Sequence, residues 1–172
     1  MKYQIPLLII AIIIFLLTIK FYMNGYPLSP DFKPKELTTL SERASFLTTT
    51  QKVDSRIAKQ VERIVVDAEA DGLCLVVSSG YRFYEYQKAL YEATKDKGLA
   101  MKPGYSEHQR GLAVDFQACP MASGVRNDSI DRLELANPFS TLPEYKWLVN
   151  HANQYKISQT YDNESWHWRF EL

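Results

Sequence analysis

Residues 105–115 read Tyr105-Ser106-Glu107-His108-Gln109-Arg110-Gly111-Leu112-Ala113-Val114-Asp115. The run from Gly111 to Phe116 has the small and apolar character of a strand, while the polar residues before it do not, and Gly111 offers the backbone a place to bend. The chain contains only three histidines. Two of them lie in dense polar settings, His108 here and His167 in Asn163-Glu164-Ser165-Trp166-His167. His108 and Asp115 would point to opposite faces of one continuous strand, so one of them must leave the strand if both are to face the same point. A tetrahedral zinc site takes neutral imidazoles and a carboxylate, with one position left to water where the site is catalytic. His108, Asp115 and His167 could supply three such ligands. On spacing alone, an ordinary hydrogen-bonded histidine beside a strand is the commoner outcome.

On the N-terminal side of this stretch, Ile57, Val61, Ile64, Val65 and Ala68 recur at helical spacing. They predict a helix from Val53, with Asp54 or Ser55 as N-cap and Gly72 just past its end. Leu73 to Val77 is a short apolar run that predicts a buried strand ending in Ser78-Ser79-Gly80, and a second helix is expected from Phe83 to Asp96, stopped by Gly98. On the C-terminal side, residues 117–143 show no clear periodicity and read as loop with short helical turns. Glu144 to Tyr155 returns to helical spacing through Trp147, Leu148, His151, Ala152 and Tyr155. His151 lies on the packed stripe of that helix and is expected to make a structural hydrogen bond. Alternation at the end of the chain sets Trp166, Trp168 and Phe170 on a buried face and His167 and Arg169 on the other. With no internal repeat, this order of helices and short strands predicts an α+β fold built on a small, mostly antiparallel sheet.

A length of 172 residues suits one domain. Twenty basic against twenty acidic side chains removes the main electrostatic reason to expect nucleic acid as a partner. The balance is uneven, however: residues 1–23 hold Lys2 and Lys20 and no acid, leaving residues 24–172 with 18 basic and 20 acidic groups. Ile5 to Ile19 is apolar apart from one threonine, and as a helix Ile5 to Met23 would cover roughly 28 Å, close to the hydrocarbon thickness of a bilayer. The following KFYMNGYPLSP has no small-x-small cleavage site, which favours an uncleaved anchor over a cleaved signal peptide. The expected organisation is a single transmembrane helix over residues 1–23, a proline-rich linker over 24–36 and a folded domain over 37–172. Lys2 must outweigh Lys20, Lys33 and Lys35 to place that domain outside, so charge alone leaves the orientation open.

Read together, SSGYR at 78–82, Tyr84 and Gln87 behind it, the S-x-H-x-x-G-x-A-x-D pattern from Ser106 to Asp115, WLVNHA at 147–152 and E-x-W-H at 164–167 resemble the VanY-type D-alanyl-D-alanine carboxypeptidases of the LAS metallopeptidase superfamily. The resemblance runs from about residue 36 to the end of the chain, with the motifs in the family's order. It implies a zinc site in the cleft with His108, Asp115 and His167 as ligands, Glu164 as general base and acid, Arg82 as the cation beside the scissile carbonyl, and Ser106 as a substrate-binding residue. Gln87, Tyr81 and Tyr105 are further candidates for the cleft, whereas Trp166 is expected in the core. Two features depart from the family pattern. The segment Lys156 to Asn163 is short, and Lys156 stands where a helix-ending glycine is common. The chain stops five residues after His167, so removal of residues 166–172 is expected to abolish the site.

The resemblance therefore implies a zinc-dependent hydrolase that removes the terminal D-alanine from peptidoglycan stem peptides, on the extracytoplasmic side of a membrane that it enters through its N-terminal anchor. An L,D-carboxypeptidase, a peptidoglycan endopeptidase and a zinc-binding module without catalysis are the alternatives. Cys74 and Cys119 would open one strand and follow another. If those strands are antiparallel neighbours the pair could form a disulfide, and otherwise Cys74 is a buried free thiol.

Overall fold

The computed structural model describes residues 9, 12, 15, 16, 25, 27–46, 49–119 and 138–172. Strand β1 (Leu37–Thr39) pairs antiparallel with β2 (Lys52–Asp54), which runs directly into helix α1 (Ser55–Ala70). Val53, expected in the helix, is thus the middle residue of a strand. The Asp54 carboxylate accepts from the Arg56 backbone N–H at 3.0 Å and caps α1. Ile57, Val61 and Ile64 are fully buried on the inner face, where each contributes about 1.5–3 kcal/mol by leaving water. Gly72 takes the left-handed φ of 78° that the helix end requires.

The main sheet has the order β3-β4-β6-β5 and is antiparallel throughout: β3 (Leu75–Ser79), β4 (Ala113–Ala118), β5 (Ile157–Gln159) and β6 (His167–Phe170). Helix α2 (Tyr84–Thr94) follows β3 and passes through a 3-10 turn to Gly98. Helices α3 (Pro138–Thr141) and α4 (Pro143–His151) precede β5. The helix expected as far as Tyr155 stops at His151 and gives way to turns, which end at Lys156 with a left-handed φ of 47°, where Ile157 N–H closes on the Ala152 carbonyl at 3.0 Å. Most of the loop expected over 117–143 lies outside the described residues. Its last part is helical.

The core lies between α1, α4 and one face of the sheet, where Phe116, Trp168, Phe170 and Leu148 are almost entirely buried. Cys74 and Cys119 form a disulfide with Cα atoms 5.4 Å apart, joining the start of β3 to the end of β4. Among the described residues no helix is long and apolar enough to cross a membrane. The helix expected over residues 1–23 lies outside the described residues, except that Ile9, Ile12, Phe15 and Leu16 are helical and exposed. Within residues 24–36, Leu28 is buried, and its N–H donates to the Gly104 carbonyl at 2.7 Å. The start of the proline-rich stretch therefore packs on the domain.

Candidate metal centre

Three segments distant in sequence converge on one point. Glu107–Arg110 forms a single 3-10 turn, and Gly111, at a left-handed φ of 68°, redirects the chain into β4. This is the bend that the seven-residue separation requires: His108 lies off the strand and Asp115 on it. Gly111 is needed for a second reason as well. A Cβ there would sit 2.7 Å from the Asp54 backbone nitrogen, which itself donates to the Gly111 carbonyl at 3.0 Å. The third residue, His167, opens β6 and lies directly opposite Asp115 in the β4–β6 register. Alternation along β6 holds, with Trp168 and Phe170 in the core. His167 is buried too, because the other face is covered at this end of the sheet.

His108 Nε2 lies 3.1 Å from His167 Nδ1, His108 Nε2 lies 3.2 Å from Asp115 Oδ1, and His167 Nδ1 lies 3.2 Å from the same oxygen. Ligand bonds of about 2.0–2.1 Å at tetrahedral angles place neighbouring donors about 3.3 Å apart, so these three atoms are spaced to share one small cation. The far side of each imidazole is also engaged. His108 Nδ1 donates to the Gly80 carbonyl at 2.7 Å, which aims the Nε2 lone pair into the triangle, and His167 Nε2 donates to Glu107 Oε2 at 3.1 Å. Arg82 Nη2 donates to Asp115 Oδ2 at 2.5 Å, leaving Oδ1 for the triangle. Two nitrogens and a carboxylate oxygen are a donor set suited to zinc, and the residues fit such an ion.

Burial holds the His108 imidazole down to about 4, helped by the Arg82 charge, so that ring is neutral at pH 7. Burial works against charge on His167 as well, but its hydrogen bonds to Asp115 and Glu107 prevail and raise it to about 9. Asp115, despite complete burial, is held well below the usual carboxylate range by the Arg82 charge and the hydrogen bond from the protonated His167 ring. Burial pushes Glu164 upward, assisted by the charges of Asp115 and Glu107 and opposed by His167. A raised carboxyl holds a proton more readily than an ordinary one, as a group that takes up and returns a proton must.

The triangle opens into a cavity of about 350 Å³, and Arg82, Ser106, His108, Asp115, Glu164 and His167 all line it. Glu164 is set by a tight turn in which its N–H donates to the Tyr161 carbonyl and its own carbonyl accepts from His167 N–H at 3.0 Å. Arg82 is also held by Ser79 Oγ at 2.9 Å and approaches Gln87 Oε1 at 3.4 Å. Gln87 is fully buried. Tyr86 and Tyr161 line the cavity, whereas Tyr81 and Tyr105 do not; Trp166 both lines it and packs on the core. His151 lies elsewhere, stacked on Trp147 with ring centroids 4.2 Å apart and bonded to the Trp147 carbonyl. Nothing in the sequence pattern marks Glu107 beyond its place next to His108. Nor does any pattern there mark the apolar wall made by Leu90, Leu99 and Met101.

An antiparallel α+β domain with a His/Asp/His triangle at the mouth of a cavity defines the LAS class of metallopeptidase fold. Within that class the chain belongs to the VanY family of D-alanyl-D-alanine carboxypeptidases, whose family model matches residues 50–171. A D-alanyl-D-alanine carboxypeptidase of Enterococcus faecium is 26% identical over 164 residues, covering 86% of this chain and 48% of the relative. The chain spans about half the length of the curated relatives it matches. Among solved structures, the LdcB LD-carboxypeptidase is 25% identical with a TM-score of 0.67, covering 84% of this chain and 72% of that one. A variant of the vancomycin-resistance D,D-pentapeptidase VanY from a VanB-type cassette, solved in complex with Zn(II), is 25% identical with a TM-score of 0.58, covering 84% and 82%.

Proposed function

We propose that the chain is a zinc-dependent D-alanyl-D-alanine carboxypeptidase that removes the terminal D-alanine from peptidoglycan stem peptides. The observation that carries this reading is the triangle of His108 Nε2, His167 Nδ1 and Asp115 Oδ1 opening onto Glu164 and Arg82. When bound there, Zn2+ supplies Lewis-acid polarisation of the scissile carbonyl and makes water more acidic. Glu164 takes the proton of the attacking water on its carboxylate and returns it to the nitrogen of the leaving D-alanine, a role that fits its raised pKa and its place beside His167. Arg82 lies at the cavity wall, where its charge stabilises the developing oxyanion, and through Nη2 it also fixes Asp115. Ser106, buried at the mouth of the 3-10 turn, is placed to accept or donate a hydrogen bond to the peptide.

A second reading has support of its own. The LdcB LD-carboxypeptidase superposes with the higher TM-score of the two neighbours, so cleavage of a tetrapeptide stem is the alternative bond. Incubating the zinc-loaded full chain in detergent micelles with pentapeptide and tetrapeptide stems, beside Glu164→Ala, separates the two. Loss of one alanine from the pentapeptide alone supports the D,D reading, loss from the tetrapeptide supports the L,D one, and cleavage of neither by a zinc-bound protein overturns both.

The proposal includes a membrane anchor over residues 1–23, a linker over 24–36 and a catalytic domain over 37–172 facing the cell wall. The apolar run from Ile5 to Ile19 supports the anchor. The Cys74–Cys119 disulfide supports the extracytoplasmic side, since such bonds persist in oxidising compartments. Protease accessibility of the domain in intact cells and in spheroplasts tests the orientation.

A further inference from the structure

His167 meets the triangle through Nδ1, so the direction of that lone pair depends on what grips the opposite corner of the ring. That grip is Glu107. Its Oε2 accepts from His167 Nε2 at 3.1 Å and from Thr160 Oγ1 at 3.3 Å, while its Oε1 faces Arg169 Nη1 at 3.3 Å. Arg169 follows His167 by two residues on β6 and therefore shares its face, which lets it close over the same carboxylate. The Glu107 side chain is only 11% exposed. It leads the 3-10 turn that carries His108, so one turn presents one ligand directly and secures another from behind.

We infer that Glu107 is a positioning residue that holds the His167 ring for metal binding from outside the ligand set. The inference rests on the metal reading above. With three side chains on its two oxygens, Glu107 is committed to holding the ring, unlike Glu164, which is placed to carry a proton. A carboxylate behind a ligating imidazole fixes its orientation and increases its basicity, and loss of such a partner typically weakens metal binding roughly 10–100-fold.

The test is Zn2+ affinity of the full chain in detergent, measured by chelator competition, for the unaltered protein, Glu107→Ala and Glu107→Gln. The visible absorption of the Co2+-substituted proteins is recorded alongside. The expected result is a loss of roughly 10–100-fold for Glu107→Ala, a smaller loss for Glu107→Gln, which keeps an acceptor oxygen, and an altered Co2+ spectrum in both. A purely structural role would leave the spectrum of the folded variants unchanged. If Glu107→Ala does not fold, Glu107→Gln decides: weaker binding with a changed spectrum supports the inference. Unaltered affinity and spectrum in the folded variants overturn it while leaving the metal reading intact. Failure of the unaltered chain to bind Zn2+ overturns the metal reading and this inference with it.

Discussion

Replacing Gly111 by alanine tests how the fold brings His108 and Asp115 together, and Gly72→Ala provides an internal reference. Both glycines adopt left-handed backbone, at φ of 68° and 78°. Moving an L-residue into that region costs about 1–2 kcal/mol, partly offset because alanine restricts the unfolded chain by about 0.4–1 kcal/mol. At Gly72 nothing lies within 4 Å of the added Cβ, so that balance is the whole effect. At Gly111 the Cβ would meet the Asp54 nitrogen at 2.7 Å. Either the start of α1 moves away, weakening the Asp54 N–H bond to the Gly111 carbonyl, or the bend between the 3-10 turn and β4 opens. Overpacking of this kind adds about 1–3 kcal/mol. With about 2–4 °C of Tm per kcal/mol for a chain of this size, Gly111→Ala should melt roughly 2–12 °C below Gly72→Ala. Thermal unfolding of the metal-free proteins followed by circular dichroism measures the difference. Gly111→Ala should also bind Zn2+ more weakly, because the same bend sets the His108–Asp115 spacing. Equal melting temperatures for the two variants would refute the steric argument.

Glu164→Gln should fold and bind Zn2+ but lose about 10²–10⁴-fold in kcat on the stem peptide, the usual contribution of a general acid–base group, as measured by D-alanine release. Proton release on adding Zn2+ should report the His167 site. At pH 7.5 the metal-free ring, raised to about 9, carries a proton that ligation must displace, so His167 contributes about one proton to the release in a weakly buffered titration, and that contribution falls towards none above pH 9. The same elevation gives the metal-free fold a stabilising contribution that is full below the ordinary histidine value near 6.5 and is lost as pH rises through 9, and denaturant titrations across that window should show the decline. Reducing the Cys74–Cys119 bond, which closes a loop of sequence separation 45, should cost about 2–4 kcal/mol in stability, read as a lower midpoint in urea.

The elements that pack through local pattern were legible in the sequence. The stripe from Ile57 to Ala68, capped by Asp54, is α1; the apolar run before Ser78 is β3; and Lys156, at a position suited to glycine, has the left-handed backbone that such a position implies. Elements made by pairing across the chain were harder to see. Strands β1 and β2 have three residues each, too short to show alternation, and hold together only through their mutual register. The strand expected at Gly111 to Phe116 begins at Ala113, because Gly111 is consumed by the bend. At the site, the residue types and motif order singled out Arg82, Ser106, His108, Asp115, Glu164 and His167, all of which line the cavity. Glu107 was not identifiable, because its role depends on the β4–β6 register that sets Asp115 opposite His167 and brings Arg169 over the carboxylate. No local pattern carries that information.

The central claim is that His108, Asp115 and His167 hold one metal ion, and a crystal of the full chain grown with Zn2+ tests it most directly through anomalous scattering at the zinc edge. The account predicts a single strong peak about 2.0–2.2 Å from His108 Nε2, His167 Nδ1 and Asp115 Oδ1, at the head of the cavity that contains Glu164. An empty triangle in zinc-saturated crystals, or a peak bound by other side chains, would contradict it.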